Sequence, residues 1–472
     1  PIYAEKDGVG GVLEEGKVVS RDNNLVMLED DLQYVTDLSK VRIMAGSAVT
    51  QEQVDALAVA SIGTAKYISL AAAIEAAKDG ETVKLLADAT EDVVINKNIT
   101  LDLGGKTLTN TNAGKATVTI AKGATATVQN GSIIGGTSYY NIQNNGTATF
   151  KDVTATAGNT DSSMIDNWGT LTIESGTYTG GLNVVKSEEG SKLTITGGTF
   201  TLEYATNGYT GVVFAYGDTT ISGGEFIQNL TTTGRWNHPT VILTGVVEGY
   251  TAITRVTGGH FVNKMSGESI FHGVGKATSD NFKVSGGTFN KSISDGFCAD
   301  GFIPTKNADG TYGVKEGKYV AKIGSKNYET LAYAIQLAAK GKTITLLADV
   351  TENVEIAATK KLTLDLNGFT LNGGTGTAKA ALTNYGTITI TDSSTAKTGT
   401  IKRDDNGTVG ETSYYVILNQ GTMTIESGTV INNSGYRKTN PTGSMSGSSL
   451  ICNGDCDEGG TLTIKGGTFT QN

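Results

Sequence analysis

Along most of the chain, apolar and polar residues alternate in short runs that end in glycine. In "TLTIESGTY", from Thr170, Leu171 and Ile173 are two apart and share one side of a strand, while Thr170 and Thr172 take the other. Threonine suits that second side, because a β-branched hydroxyl residue fits a pleated, wet face. Ser175-Gly176 then interrupts the alternation, and Tyr178 falls on the opposite parity from Ile173. A parity switch at glycine predicts a corner, where the chain turns and both apolar residues still face one interior. The unit recurs in "KLTITGGTF" (Lys192), "TTISGGEF" (Thr219), "RVTGGHF" (Arg255), "FKVSGGTF" (Phe282), "TMTIESGTV" (Thr422) and "TLTIKGGTF" (Thr461). Ile173, Ile195, Ile221, Val256 and Val284 follow one another at 22, 26, 35 and 28 residues. Units this short cannot each bury an apolar face, so they must stack. The pattern predicts a parallel β-solenoid with turns about 4.8 Å apart.

A longer repeat overlies the short one. "SLAAAIEAAKDGETVKLLAD" starts at Ser69 and "TLAYAIQLAAKGKTITLLAD" at Thr330, 261 positions later. "LDLGGKTL" (Leu101) returns as "LDLNGFTL" (Leu364), and "TSYYNIQNNGTATF" (Thr137) as "TSYYVILNQGTMTI" (Thr412). Each copy opens with an Ala-rich, apolar-striped stretch in which Ser69 is a good N-cap and Gly80 a good stop. A solenoid end has unpaired strand edges and needs a cover, which a short amphipathic helix supplies. The expected fold is therefore all-β: two tandem parallel β-helix solenoids, each opened by a short capping α-helix, after a small mixed N-terminal adaptor. The expected domains are 1–60 (adaptor), 61–317 (first β-helix) and 318–472 (second β-helix, incomplete at its C-terminal end). The first closes on a hairpin turning at Asp309-Gly310, and the second reaches Asn472 without a matching closure.

Residues 1–60 depart from the pattern. They carry more charge, and "TQEQVDALAVA" from Thr50 reads as a helix with a Thr50–Gln53 capping box. Val26, Met27, Leu28, Leu32, Tyr34 and Val35 are too many apolar residues for a solvated tail and too few for a core. Segments of that kind complete their core on a partner or on copies of themselves, so these six are the expected anchoring residues.

Composition narrows the function. With 63 Gly and only 4 Pro in 472 residues, the glycines read as turns between strands rather than as disorder. A net charge of -10 argues against nucleic acid and against an anionic membrane surface. No apolar run is long enough to span a bilayer, and "PIYAEKDGVGG" lacks the basic start and apolar core of a secretory signal. Cys452 and Cys456, in "CNGDC", read as free thiols near a turn, with a short local disulfide as the alternative. No His lies near them to suggest a metal site. No cofactor is expected.

"SLAAAIEAAKDGETVKLLAD", "ITLDLGGKTL" and the closing "DGFIPTKNADGTYGV" resemble the pectate-lyase-like, right-handed β-helix superfamily. They are similar, more narrowly, to β-helix modules of large surface proteins from gut-dwelling bacteria and of their phages. The resemblance covers roughly 61–472. It implies a fold, while function on this scaffold ranges over lyases, hydrolases, adhesins and phage spikes. Lyases of the superfamily need clustered carboxylates with a basic residue, and its hydrolases need grouped Asp with His and Arg-Lys. Neither set is apparent here. Asp102 and Asp365 stand isolated between inward leucines, and Arg403 to Asp405 read as part of a turn. His260 fills the ordinary Thr or Glu slot of a corner, His272 has no evident partner, and Asp457-Glu458 read as a solvated turn.

The expectation is a non-enzymatic attachment protein. Residues 1–60 would anchor it to a capsid or another virion structural protein, as a phage head fibre or capsid decoration, with a homotrimer the favoured state. A bacterial cell-surface adhesin is the first alternative and a polysaccharide lyase or hydrolase the second. Tyr139, Tyr140, Trp168, Trp236, Tyr414 and Tyr415 are the candidates for stacking on a cell-surface glycan, since aromatic faces suit sugar rings.

Overall fold

The computed structural model describes the strands between residues 2 and 43 as backbone. It describes residues 56–205, 208–232, 237–374, 379–404, 415–433, 450–454 and 459–472 in full. The chain forms two compact units, Pro1–Glu316 and Gly317–Asn472. Both are dominated by parallel strands, and the two α-helices among the described residues are short.

In the first unit one sheet runs Val93–Ile95, Val118–Ile120, Ile142–Asn144, Ile165–Asn167, Val185–Ser187, Gly208–Ala215, Asn237–Val246 and Phe271–Gly275. These strands are hydrogen-bonded in that order and parallel throughout. Two further strand columns complete each turn of the chain. Thr170–Ile173, Lys192–Ile195, Asp218–Ile221 and Thr254–Val256 pair in one. Gly176–Thr179, Thr199–Leu202, Glu225–Gln228 and His260–Asn263 pair in the other. The parity switch read in the sequence is present: Leu171, Ile173 and Tyr178 are all fully buried in one core. Gly176 makes the corner at φ +119, which a residue with a Cβ rarely adopts.

Exact stacking puts like on like. Tyr178, Phe200, Phe226 and Phe261 form a ladder with centroids 4.9 Å apart and rings within 8° of parallel. A polar ladder runs beside the apolar core. Asn144 Nδ2 donates to Asn167 Oδ1 at 2.8 Å, and Asn167 Nδ2 donates to Ser187 Oγ at 3.0 Å. Each Asn also accepts from the glycine two residues on, Gly146 and Gly169. The Asn-x-Gly motif is therefore a repeated inward hook, and the residue between Asn and Gly lies at the outer edge.

The second unit repeats the plan. Its strands Lys342–Leu346, Lys361–Asp365, Thr387–Thr391, Thr422–Ile425 and Thr461–Ile464 are parallel, and Asn384 donates to Asn419 and Asn419 to Asn453. Its buried residues form a core of their own.

The duplicated helices are Leu70–Ala76 and Leu331–Leu337. Ser69 caps the first as read, accepting from Ala72 N–H at 3.1 Å. A second cap comes from the strand stack: Glu91 accepts from Leu70 and Ala71 N–H at 2.7 and 2.9 Å, and Glu352 does the same for Leu331 and Ala332. A carboxylate there complements the helix N-terminus. Gly80 does not stop the helix. The chain leaves helical geometry at Ala77 (ψ 146), because Thr82–Leu85 must begin in register with Ile99–Asp102, and Gly80 (φ +85) serves the turn between.

Three further expectations change. Arg403 belongs to the strand Thr400–Arg403 and is fully buried, because this strand pairs with Thr370–Asn372 and Thr429–Asn432, not a turn. Asp102 and Asp365, read as isolated between leucines, serve the turns, where both carboxylates accept from backbone: Gly104 N–H at 2.8 Å, and Asn367 and Ser393 N–H at 3.1 and 2.9 Å. In the leader, Ile2–Lys6, Val9–Glu14, Lys17–Ser20, Leu25–Met27 and Arg42–Ile43 form an antiparallel sheet separate from the parallel ones. Ala56-Leu57 is a turn rather than helix, and 50–55 lie outside the described residues. The closing hairpin is as read, with Phe302–Lys306 antiparallel to Tyr312–Glu316.

Candidate functional site

The register of the first sheet aligns one residue per turn on its outward side. The column runs Gln143, Asp166, Lys186, Phe214, Leu243, His272. Two positions later a second outward column carries Trp168, Glu188 and Tyr216. The inward positions between them hold Asn167, Ser187 and Ala215.

Trp168 is the middle residue of an Asn-x-Gly hook. The hook turns Asn167 inward and lifts Trp168 out, so half of the side chain is exposed (51 %). Gly169 has to be glycine, since a Cβ there would fall 2.0 Å from Gly146 O in the preceding turn. The indole N–H of Trp168 donates to Asp166 Oδ2 at 2.9 Å, which fixes the ring. Asp166 is fully buried although it lies on the outward side.

Lys186 sits at the centre. Its ammonium is 2.5 Å from Glu188 Oε1 and 5.9 Å from the centroid of Tyr216, and its side chain keeps 27 % exposure. Burial pulls the lysine pKa down, but hydrogen bonding to Glu188 and the surrounding carboxylates outweigh it, so the net shift is upward. An ion pair should lower the pKa of its acid. Instead the Glu188 carboxyl is raised, because burial and the adjacent Asp166 carboxyl together exceed the pull of Lys186. Burial, then the charge of Asp166, raises the Tyr140 phenol, and burial raises that of Tyr216. The Tyr216 ring lies against Gly245, where a Cβ would fall 2.2 Å from it.

Of the aromatic candidates read from the sequence, Tyr140 and Trp168 share this cluster. Tyr139 packs edge-on against Tyr140, with centroids 4.7 Å apart at 60°, and both rings are half-buried. Tyr415 is half-buried in the second unit. Trp236 and Tyr414 lie outside the described residues, as do Leu28, Leu32, Tyr34 and Val35. Val26 and Met27 lie on the leader strand Leu25–Met27, whose side chains are not described. Asp166, Lys186, Glu188 and Tyr216 were missed. Aligning "IQNNG", "IDNWG" and "VKSEEG" on the inward Asn or Ser would have placed the first three in neighbouring columns.

A second cluster lies further along the face. His272 does have partners: its ring stacks on Tyr209 at 4.1 Å and 18°, and Tyr209 also stacks on His238 at 5.1 Å. His238 Nδ1 is 2.9 Å from Glu268 Oε1. Burial lowers the His272 pKa, opposed by Glu268 and aided by His238. His260 occupies the ordinary corner slot, in register with Glu225 and Thr288.

The second unit holds Tyr385, which is 39 % exposed, at the hook position of Trp168, but the lysine–carboxyl cluster does not recur among its described residues. Its equivalent outward column is Glu355, Thr383, Leu418 and Cys452. Among the described residues no group of three or more metal-ligating side chains comes together, and no helix is long and apolar enough to cross a membrane. Cys298 is a buried free thiol pushed up to about 11 by burial, Cys452 is also free, and Cys456 lies outside the described residues. Compared with protein-family models, with curated proteins and with solved structures, the chain matches none.

Proposed function

We propose that the protein is a non-enzymatic attachment protein that binds glycans through the outward sheet face of its first unit. The observation that carries this reading is the Trp168 cluster: an exposed indole held by a buried carboxylate, beside a partly open lysine that lies over Tyr216 and near Tyr140. Such a surface gives a sugar ring an apolar face to stack on and donors for its hydroxyls. In the second unit the column matching Asp166 and Lys186 holds Glu355, Thr383 and Leu418, so the fold is built there without the carboxyl–lysine cluster, which supports a role for that cluster beyond folding, while the hook position of Trp168 keeps an exposed aromatic, Tyr385. Binding is favoured over cleavage because Asp166 is fully buried and Glu188 nearly so (4 %), leaving neither carboxyl open to a glycosidic oxygen.

On this reading the units are two tandem parallel β-helices, and the duplicated helices are their lids. The burial of Leu70, Ala73 and Ile74 in the first core, and of Leu331, Ala334 and Ile335 in the second, supports the lids. Residues 1–60 attach the protein to a capsid or another virion structural protein, and the separate antiparallel sheet of the leader supports an autonomous role for it. A bacterial cell-surface adhesin is the alternative setting for the same architecture.

The test is a Trp236→Phe protein, in which Trp168 is the single indole, titrated against a glycan array and in solution with the glycans that score. Binding with a change in Trp168 fluorescence, abolished by Trp168→Ala, is expected. An array with no binding, or binding indifferent to Trp168→Ala, overturns the proposed site. Deleting residues 1–60 should leave glycan binding intact while abolishing co-sedimentation with particles.

A further inference from the structure

The direction and spacing of the outward positions define the class of glycan, an inference that rests on the binding reading above. Trp168 and Tyr216 directly follow strands Ile165–Asn167 and Gly208–Ala215 in one outward column, with Glu188, which follows the strand of Lys186, between them. Their backbone attachment points are thus two strand spacings apart, about 9.6 Å. That separation is close to the disaccharide repeat of a flat, β-1,4-linked pyranose chain, in which every second ring presents the same face. A chain lying across the strands would set alternate rings against Trp168 and Tyr216. The intervening ring would then lie over Glu188, whose carboxyl is paired with the Lys186 ammonium, the partly open donor at the centre of the site.

Charge selects among such chains. Lys186 is already paired with Glu188, and Asp166 adds a further carboxyl directly beside them. A chain bearing a carboxylate or sulfate on each repeat would find the lysine already neutralised by Glu188 and the local field made more negative by Asp166. We propose that the first unit binds an uncharged, β-1,4-linked polysaccharide laid across its strands over Trp168, the Lys186–Glu188 pair and Tyr216.

The experiment uses the full chain carrying Trp236→Phe and three uncharged β-1,4 series, the cello-, manno- and N-acetylchito-oligosaccharides from dimer to hexamer. Maltohexaose serves as the α-linked control and hexagalacturonate as the anionic one. In at least one β-1,4 series, affinity should rise about tenfold from dimer to hexamer as a second aromatic is engaged. Tyr216→Ala should flatten that rise while leaving dimer binding and its Trp168 fluorescence change in place. Tyr216→Phe, which keeps the ring, should restore the rise and so separates stacking from a folding defect. Tightest binding to hexagalacturonate or maltohexaose, or an unchanged length dependence in Tyr216→Ala, overturns the assignment while leaving glycan binding by Trp168 standing. No binding in any arm, in agreement with a blank array, removes the underlying reading and this one together.

Discussion

Phe226→Ala tests the physical basis of the fold at one ring. Phe226 is fully buried in the ladder, with Phe200 on one side and Phe261 on the other, each centroid 4.9 Å away and tilted by 4° and 7°. Truncating a core Phe to Ala costs about 3–5 kcal/mol, depending on how far the surroundings collapse into the space. Collapse is restricted here, because Glu225–Gln228 is hydrogen-bonded in register to the strands above and below and cannot shift alone. Two ring pairs are lost as well, at about 0.5–1.5 kcal/mol each beyond their area. The expected loss is therefore about 5 kcal/mol, a large part of the roughly 5–15 kcal/mol that holds a domain. Urea unfolding should show the first unit melting at much lower denaturant, with the second unchanged, since the buried residues of the two form separate cores. Phe226→Leu, which refills most of the space, should recover more than half of the loss. A deficit for Phe226→Ala below about 1 kcal/mol would refute the ladder as a principal support of the stack.

The remaining predictions address the other recurring devices. Asn167→Ala removes hydrogen bonds with Asn144, Ser187 Oγ, Lys192 O and Gly169 N–H and strands buried partners, so about 3 kcal/mol should be lost by denaturant titration. Glu91→Ala leaves the Leu70 and Ala71 N–H groups without their carboxylate and should cost about 1 kcal/mol, and Glu352→Ala should do the same in the second unit. The Glu188 carboxyl is raised above its ordinary 4.5, so the folded state holds a proton that the unfolded chain releases first. Its contribution to stability is therefore greatest below about pH 4.5 and declines as pH rises through the folded value. Glu188→Gln should flatten that decline in a pH series of melts, and a variant with the wild-type slope would show that the proton is held elsewhere.

The fold was legible because its determinants are local and repeated. Alternation, the glycine corner and the apolar residue that follows it recur along the chain, so one reading of Thr170 to Tyr178 served for much of the rest. What escaped were residues whose environment is made by other turns. Arg403 precedes Asp-Asp-Asn-Gly, which reads locally as a turn, yet pairing with Thr370–Asn372 and Thr429–Asn432 draws it into a strand. Gly80 was read as a helix stop from its residue type, whereas the helix end is dictated by the register of the strand that follows.

The site escaped for a related reason. A search for chemistry along the sequence looks for neighbours in sequence, whereas this fold makes neighbours of residues one turn apart. Asp166, Lys186 and Phe214 are separated by 20 and 28 positions, yet they stand side by side on consecutive strands. The aromatic residues were legible as candidates because aromatic faces suit sugar rings, and the hook shows why a large ring is tolerated at Trp168: the inward hydrogen bonds belong to Asn167, and the close approach to Gly146 belongs to Gly169. The middle side chain takes no part in the inward hydrogen bonds of the hook. The same hook holds Asn145 in the turn before, and Tyr385 and Gln420 in the second unit. A position outside the inward ladder, at the edge of the sheet, is where a repeat scaffold can change its surface without changing its fold. The concentration of Trp168, Lys186, Glu188 and Tyr216 at such outward positions in one unit, over an inward ladder common to both, is the pattern expected of a binding surface written onto a duplicated frame.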